Sequence, residues 1–205
     1  AEEFEQAAGT GVNKDHWNHD IGDGTAAGIP GWGNQEREYS LESAVVQDGN
    51  SNLTINATRM PAENEYDCYY GKPAEWTSGK ITTYNKVGFK FGRLEARLKM
   101  PKGVGTWPAI WMLGAKIAEE NWPHCGEIDI FEGKGADPRA VFGTLHGPGY
   151  SGETPHGKII QAAKDLCDDF NVFAIEWPEN RVEWFMNGEM FFSATSEDIA
   201  PNKWV

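Results

Sequence analysis

The stretch "GRLEARLKM" (residues 92–100) decides the fold. Leu94, Ala96, Leu98 and Met100 fall on one face, and Arg93, Glu95, Arg97 and Lys99 on the other. A period of two held over the whole segment is the pattern of a half-buried antiparallel strand. Other segments on both sides read as short strands: "NLTINATR" (52–59), "SGKITTYN" (78–85), "TWPAIWML" (106–113), "EIDIFE" (127–132), "AVFGTLHG" (140–147), "FNVFAIEWP" (170–178), "RVEWFMNGE" (181–189) and "MFFSAT" (190–195). "MNGE" (186–189) carries an Asn-Gly hairpin turn, and "PENR" (178–181) turns the chain just before it. "GIPGWGNQEREYS" (28–40) reads as a loop feeding a strand. Helical periodicity is scarce; one short helix is expected near "AAKDLCDD" (162–169). Many short strands with Gly-rich turns argue for an all-β sandwich or barrel. With no repeat and no linker, residues 1–205 read as a single domain.

Composition narrows the partners. Hydrophobic residues make up 40% and charged residues 24%, a globular and not a disordered balance. The formal charge of −13 repels phosphate backbones, so nucleic acid is not expected as a partner. No apolar run reaches the length of a membrane span, so no membrane partner is expected either. Nine tryptophans suit a β-rich core, but they also suit platforms for the flat apolar faces of sugar rings. Cys68, Cys125 and Cys167 contain no CxxC pair; they allow one disulfide or buried free thiols.

"CGEIDIFEG" (125–133) breaks the alternation. Glu127 and Asp129 share one face, and Ile128 and Ile130 point into the core. Strict alternation would then send Glu132 inward, where a lone charge costs several kcal/mol, roughly. A β-bulge near Ile130–Phe131 would return Glu132 to the face of the other acids. The alternative is that Glu132 begins a solvated turn. Three acids on one face raise one another's proton affinity, and glycosidic cleavage needs one protonated and one ionised carboxyl. Retention of configuration needs the two carboxyls about 5–5.5 Å apart. Four strand steps span about 13 Å, so the side chains would have to lean together.

These residues resemble a family. "GEIDIFEG" matches the Glu-x-Asp-x-x-Glu pattern of family 16 glycoside hydrolases, in the longer form typical of laminarinase-like endo-1,3-β-glucanases. "GTWPAIWMLG" (105–114), "GWGNQEREYS" (31–40), "SGKITT" (78–83), "FGRLEARLKMP" (91–101) and "GTLHGPGYSG" (143–152) are similar to further segments of that family. The resemblance implies a β-jelly-roll sandwich of two antiparallel sheets with a concave substrate cleft. It implies Glu127 as nucleophile, Glu132 as general acid/base and Asp129 between them. Trp107 and Trp111 would line donor subsites, His146 would contact the sugar at the cleavage point, and Asn34, Trp32 and Lys80 would shape the donor side. Lys80 stands where laminarinases often have arginine, so the planar fork is lost while charge and reach remain.

The activity implied is retaining endo-hydrolysis of β-1,3-glucosidic bonds in laminarin-type β-glucan polysaccharide or oligosaccharide, by a secreted monomer. No cofactor is implied for catalysis. A structural calcium ion is the one metal the resemblance suggests, with Glu3 as its candidate side chain; the family's late aspartate for that ion is absent. The resemblance also implies closing C-terminal strands beyond "NKWV", supplied by further sequence or another piece. The competing readings are a mixed-linkage β-1,3-1,4-glucanase, a galactan hydrolase, and a β-glucan-binding jelly roll without catalysis. A pure binder would have no need of both glutamates.

Overall fold

The computed structural model describes residues 1–205. The chain forms two compact units, Ala1–Gly88 and Phe89–Val205. The strands of the first are β1 (Asn18–His19), β2 (Glu38–Ser40), β3 (Val45–Gln47), β4 (Leu53–Ile55), β5 (Thr58–Arg59), β6 (Asp67–Cys68), β7 (Lys72–Pro73), β8 (Trp76–Ser78) and β9 (Ile81–Thr82). They pair as β1-β9, β2-β8-β5, β3-β4 and β6-β7. The expected long strand 52–59 is thus two short ones, and 78–85 is divided between β8 and β9. Pairing is antiparallel except between β2 and β8, which run parallel. Residues 41–75 connect these two, and parallel neighbours need a crossover of that kind.

The second unit holds β10 (Gly92–Leu98), β11 (Ala109–Leu113), β12 (Glu127–Lys134), β13 (Asp137–His146), β14 (His156–Gln161), β15 (Asn171–Trp177), β16 (Arg181–Met186) and β17 (Glu189–Thr195), with one helical turn, α1 (Ile117–Glu120). They form two four-stranded antiparallel sheets, β10-β15-β16-β17 and β11-β12-β13-β14. Each alternating pattern does the work its sequence suggests. Leu94, opposite Ile175, packs against the core, while Arg93, opposite Glu176, faces out. The hairpin of β16 and β17 turns at Asn187 and Gly188, with φ of 51° and 84°, values that Asn-Gly pairs adopt readily.

The core of this unit joins the two sheets. Ile128, Ile130, Phe131, Val141 and Leu145 of one meet Phe173, Ile175, Val182, Trp184 and Ala194 of the other in one buried cluster. Phe131 and Phe173 lie with ring centroids 4.3 Å apart. Truncating an aromatic at such a position costs about 3–5 kcal/mol.

The helix expected over residues 162–169 does not form. Leu166 N–H donates to Pro138 O at 2.9 Å, and Leu166 O accepts from Met100 N at 3.1 Å. Its peptide groups are therefore taken by neighbouring segments, and Leu166 and Cys167 are buried side by side. All three cysteines are free thiols, which decides between the two alternatives the sequence left open. No helix is long and apolar enough to cross a membrane.

Candidate active site

The site grows from a fault in the β12 ladder. Asp129 pairs with Thr144 and Glu132 with Phe142, so three steps on β12 match two on β13. On the other side Ile110 pairs with Phe131 and Trp111 with Asp129, so the same extra residue appears against β11. This is the bulge that the displaced acid predicts, and Ile130 and Phe131 are both fully buried beside each other. Glu127, Asp129 and Glu132 consequently share one face. Directly opposite residues of an antiparallel pair also share a face. The register therefore puts Trp111 and Leu113 of β11, and Thr144 and His146 of β13, on the acids' side.

Each acid has its own donors. Trp122 Nε1 donates to Glu127 Oε2 at 2.5 Å. Trp107 Nε1 donates to Glu132 Oε1 at 3.0 Å. Asp129 is the most deeply placed, only 3% exposed. Its Oδ2 accepts from Thr144 Oγ1 at 2.5 Å and lies 3.2 Å from His146 Nε2. Gly152 N–H donates to His146 Nδ1 at 3.2 Å, which in the neutral ring leaves the proton on Nε2, facing Asp129. The backbone of Asp129 is held as well: Trp184 Nε1, from the other sheet, donates to its carbonyl at 2.7 Å.

The electrostatics follow from crowding. Burial pushes the Glu127 carboxyl up to about 8, and the charge of Asp129 adds to this, while His146 and the Trp122 N–H pull against it. Glu132 is raised for the same first two reasons, burial and Asp129, with the Trp107 N–H opposing. Burial disfavours charge on His146, but its bond to Asp129 and the surrounding acids outweigh that and raise its pKa. With acids this close, protons are held by the cluster as a whole. At neutral pH it holds a proton that can be given away beside carboxylates that can attack or stabilise positive charge.

Trp107, Trp111 and Trp122 leave 47%, 40% and 44% of their surface in solvent. Three indoles stand open around buried acids, an arrangement that suits stacking on sugar faces. The sequence singled out Trp107, Trp111 and His146, and all three lie on this face. It missed Trp122, which sits in the turn between α1 and β12 and reaches Glu127 across five positions. A Trp-Pro turn just before the acid strand was the available signal. It also missed Thr144, two residues before His146 and so on the same face of β13.

The remaining predicted residues form a cluster within the first unit. Lys80 Nζ stands over the Trp32 ring, 4.6 Å from its centroid, and 3.7 Å from Glu36 Oε1. Asn34 Nδ2 reaches the same Glu36 oxygen at 3.4 Å. Glu36, which the sequence reading passed over, is pushed up to about 7 by burial, against the pull of Lys80. The loop takes this path because Gly31 adopts φ 59°, where a Cβ would stand 3.0 Å from the Tyr69 ring. Glu3 is exposed, and no group of three or more His, Cys, Asp or Glu side chains is arranged to hold a metal ion.

Comparison with known proteins gives the arrangement a context. A sequence profile of the glycosyl hydrolases family 16 matches residues 33–203. The glucan endo-1,3-beta-glucosidase A1 of Niallia circulans is 32% identical over 95% of this chain, which spans 30% of that protein. The beta-glucanase of Rhodothermus marinus is 33% identical over 89% of this chain, which spans 60% of that one. The chain is thus similar to only part of either curated relative. Among solved structures, the laminarinase catalytic domain of Thermotoga maritima MSB8 superposes with a TM-score of 0.88 at 41% identity, covering 97% of this chain and 76% of that one. At that identity and overlap the fold is the same all-β jelly-roll sandwich.

Proposed function

The chain belongs to glycosyl hydrolase family 16, and from that premise we propose that it is a retaining endo-hydrolase of β-1,3-glucosidic bonds in laminarin-type β-glucans. The observation that carries the reading is the bulge at Ile130–Phe131, which sets Glu132 beside Glu127 and Asp129 on one face. A binding module would gain nothing from holding three acids together against their mutual repulsion.

The roles are those the family resemblance implies; burial and Asp129 raise the proton affinity of both glutamates. Glu132, kept protonated by burial and by Asp129, gives its proton to the departing glycosidic oxygen as the bond to the anomeric carbon breaks. Glu127 attacks that carbon from the other side and forms a glycosyl-enzyme ester. Water then gives its proton to Glu132, now the base, and its oxygen releases the sugar with the original configuration. Asp129 stays in place between them, tied to Thr144 and His146, and its charge favours the positive character of the oxocarbenium-like transition state. No cofactor enters these steps. Trp107 and Trp111 serve as sugar platforms, His146 contacts the sugar at the cleavage point, and Trp32, Asn34 and Lys80 bind on the donor side. Calcium, if this protein uses it, has a structural role only. Laminarin is a polymer that does not cross membranes, so the enzyme works outside the cell.

The test is a reducing-sugar assay on laminarin, lichenan and agarose with the parent protein and with Glu127→Ala and Glu132→Ala. Laminarin should be cleaved fastest, the first product seen by NMR should be the β-anomer, and both variants should lose activity. Unchanged hydrolysis in the two variants would sink the reading, and faster cleavage of lichenan would move it to mixed-linkage glucan.

A further inference from the structure

We propose that Trp122 is a positioning residue for the nucleophile: its indole N–H holds Oε2 of Glu127 and leaves Oε1 to attack the anomeric carbon. The proposal rests on the reading of Glu127 as the nucleophile. The contact is short, 2.5 Å, and an indole nitrogen can only donate, so it bonds the ionised carboxylate better than the neutral acid. Glu127 needs such a partner. Burial and Asp129 both favour its protonated form, and a protonated Glu127 cannot attack.

The indole is not a dangling side chain. Its ring lies 6.0 Å from the His146 ring. The turn that carries it is tied at both ends, because Lys203 Nζ reaches Glu120 Oε2 at 2.7 Å and His124 O at 3.1 Å. Within the turn, Cys125 N–H donates to Asn121 O at 2.9 Å. The donor is therefore preset by the framework and needs no rearrangement when substrate arrives.

The chemistry gives the two oxygens different duties. As Oε1 bonds to the anomeric carbon, the bond to the leaving oxygen breaks and that oxygen takes the proton of Glu132. Oε2 becomes the ester carbonyl oxygen, still facing Trp122. When water displaces the enzyme, the electron pair returns to Glu127, and the indole N–H stabilises the carboxylate as it forms. One donor thus assists both displacements from the same place.

Trp122→Phe keeps an aromatic ring and removes the N–H donor together with the five-membered ring of the indole. It should lower kcat on laminarin roughly 10- to 100-fold with KM little changed. It should also move the acid limb of kcat/KM upward by about one pH unit. A second readout isolates the nucleophile: labelling of Glu127 by a 2-deoxy-2-fluoro glucoside with a dinitrophenolate leaving group, followed by mass spectrometry. That leaving group needs no acid, so its rate follows Glu127 ionisation alone. Below the acid limb of the parent, labelling of the Phe variant should be slower than labelling of the parent at the same pH, and the gap should close as pH rises. A Phe variant with parental kcat and acid limb, or one changed only in KM, overturns the proposal and leaves Trp122 a platform. If the parent is labelled at a residue other than Glu127, it is the underlying reading of the nucleophile that fails, before Trp122 is tested.

Discussion

Two strands of the second unit carry alternating charge, and they handle it in opposite ways. On β10 the charges are mixed in sign and solvated. Arg93 bonds Glu95 at 2.5 Å and Glu176 at 2.8 Å, and Arg97 stacks on Phe170 at 3.8 Å. On β12 three acids share the working face, buried or half-buried with indole, hydroxyl and imidazole donors around them, and the one cation, Lys134, stands at the strand's end over Phe142. A strand that merely needs a wet face neutralises it in place. A strand that concentrates one sign, and breaks its own register to do so, stores proton affinity for a reaction.

The sharpest way to break this comparison is to remove charge from each strand in turn. Glu127→Ala should cost about 10⁴–10⁶-fold in kcat. Glu132→Ala should cost roughly 10²–10⁴-fold. Glu95→Ala on β10, assayed on laminarin beside them, should match the parent. Loss of activity in Glu95→Ala would show that the mixed strand works in catalysis too.

The bulge comes next. Phe131 lies in the bulge that returns Glu132 to the acids' face and is fully buried, so Phe131→Ala should destabilise the fold by about 3–5 kcal/mol in urea titration. Leu94→Ala, on the regular strand and only partly buried, should cost about 2 kcal/mol or less. Equal losses would mean that the bulge is not specially supported from beneath.

A smaller effect separates the strands by pH. Glu127 has its folded pKa raised to about 8 from an ordinary 4.5, so between these values the folded protein keeps a proton that the unfolded chain has released. Stability contributed by this group is therefore lost as pH rises through that window. Gln does not titrate, so Glu127→Gln should melt above the parent by about 5 °C at pH 8.5, with the gap closing near pH 4.5. A gap that widens toward acid would reverse the assigned direction. The smallest change belongs to β10 again: Arg93→Ala should cost under about 1 kcal/mol, because exposed ion pairs contribute little.

Much of the working strand is legible in the sequence. The bulge follows from one misplaced acid, because a charge at an inward position is too costly to leave there. The hairpin at Asn187–Gly188 follows from two residues that tolerate positive φ. Periodicity does not find Trp122, since a side chain reaching back from a turn obeys no period; only the Trp-Pro pair before the acid strand marks it. Thr144 acquires its partner only once β12 and β13 are in register. The helix over 162–169 failed because helical composition is a weak prior, and Met100 and Pro138 supply stronger partners for that backbone. In the first unit, strands of two or three residues are too short for alternation to show. Their pairing, including the parallel β2–β8 contact, is set by tertiary neighbours.

The bond from Trp184 to the carbonyl of Asp129 has a mechanical consequence. The two layers of this unit meet chiefly through apolar side chains, and such contacts resist separation more than sliding, because they have no preferred direction. A hydrogen bond does have one. At Asp129 the layers are doweled together, and shear between them must pivot about that point. For the layers to slide at the acids, the Trp184 bond to the Asp129 carbonyl would have to break.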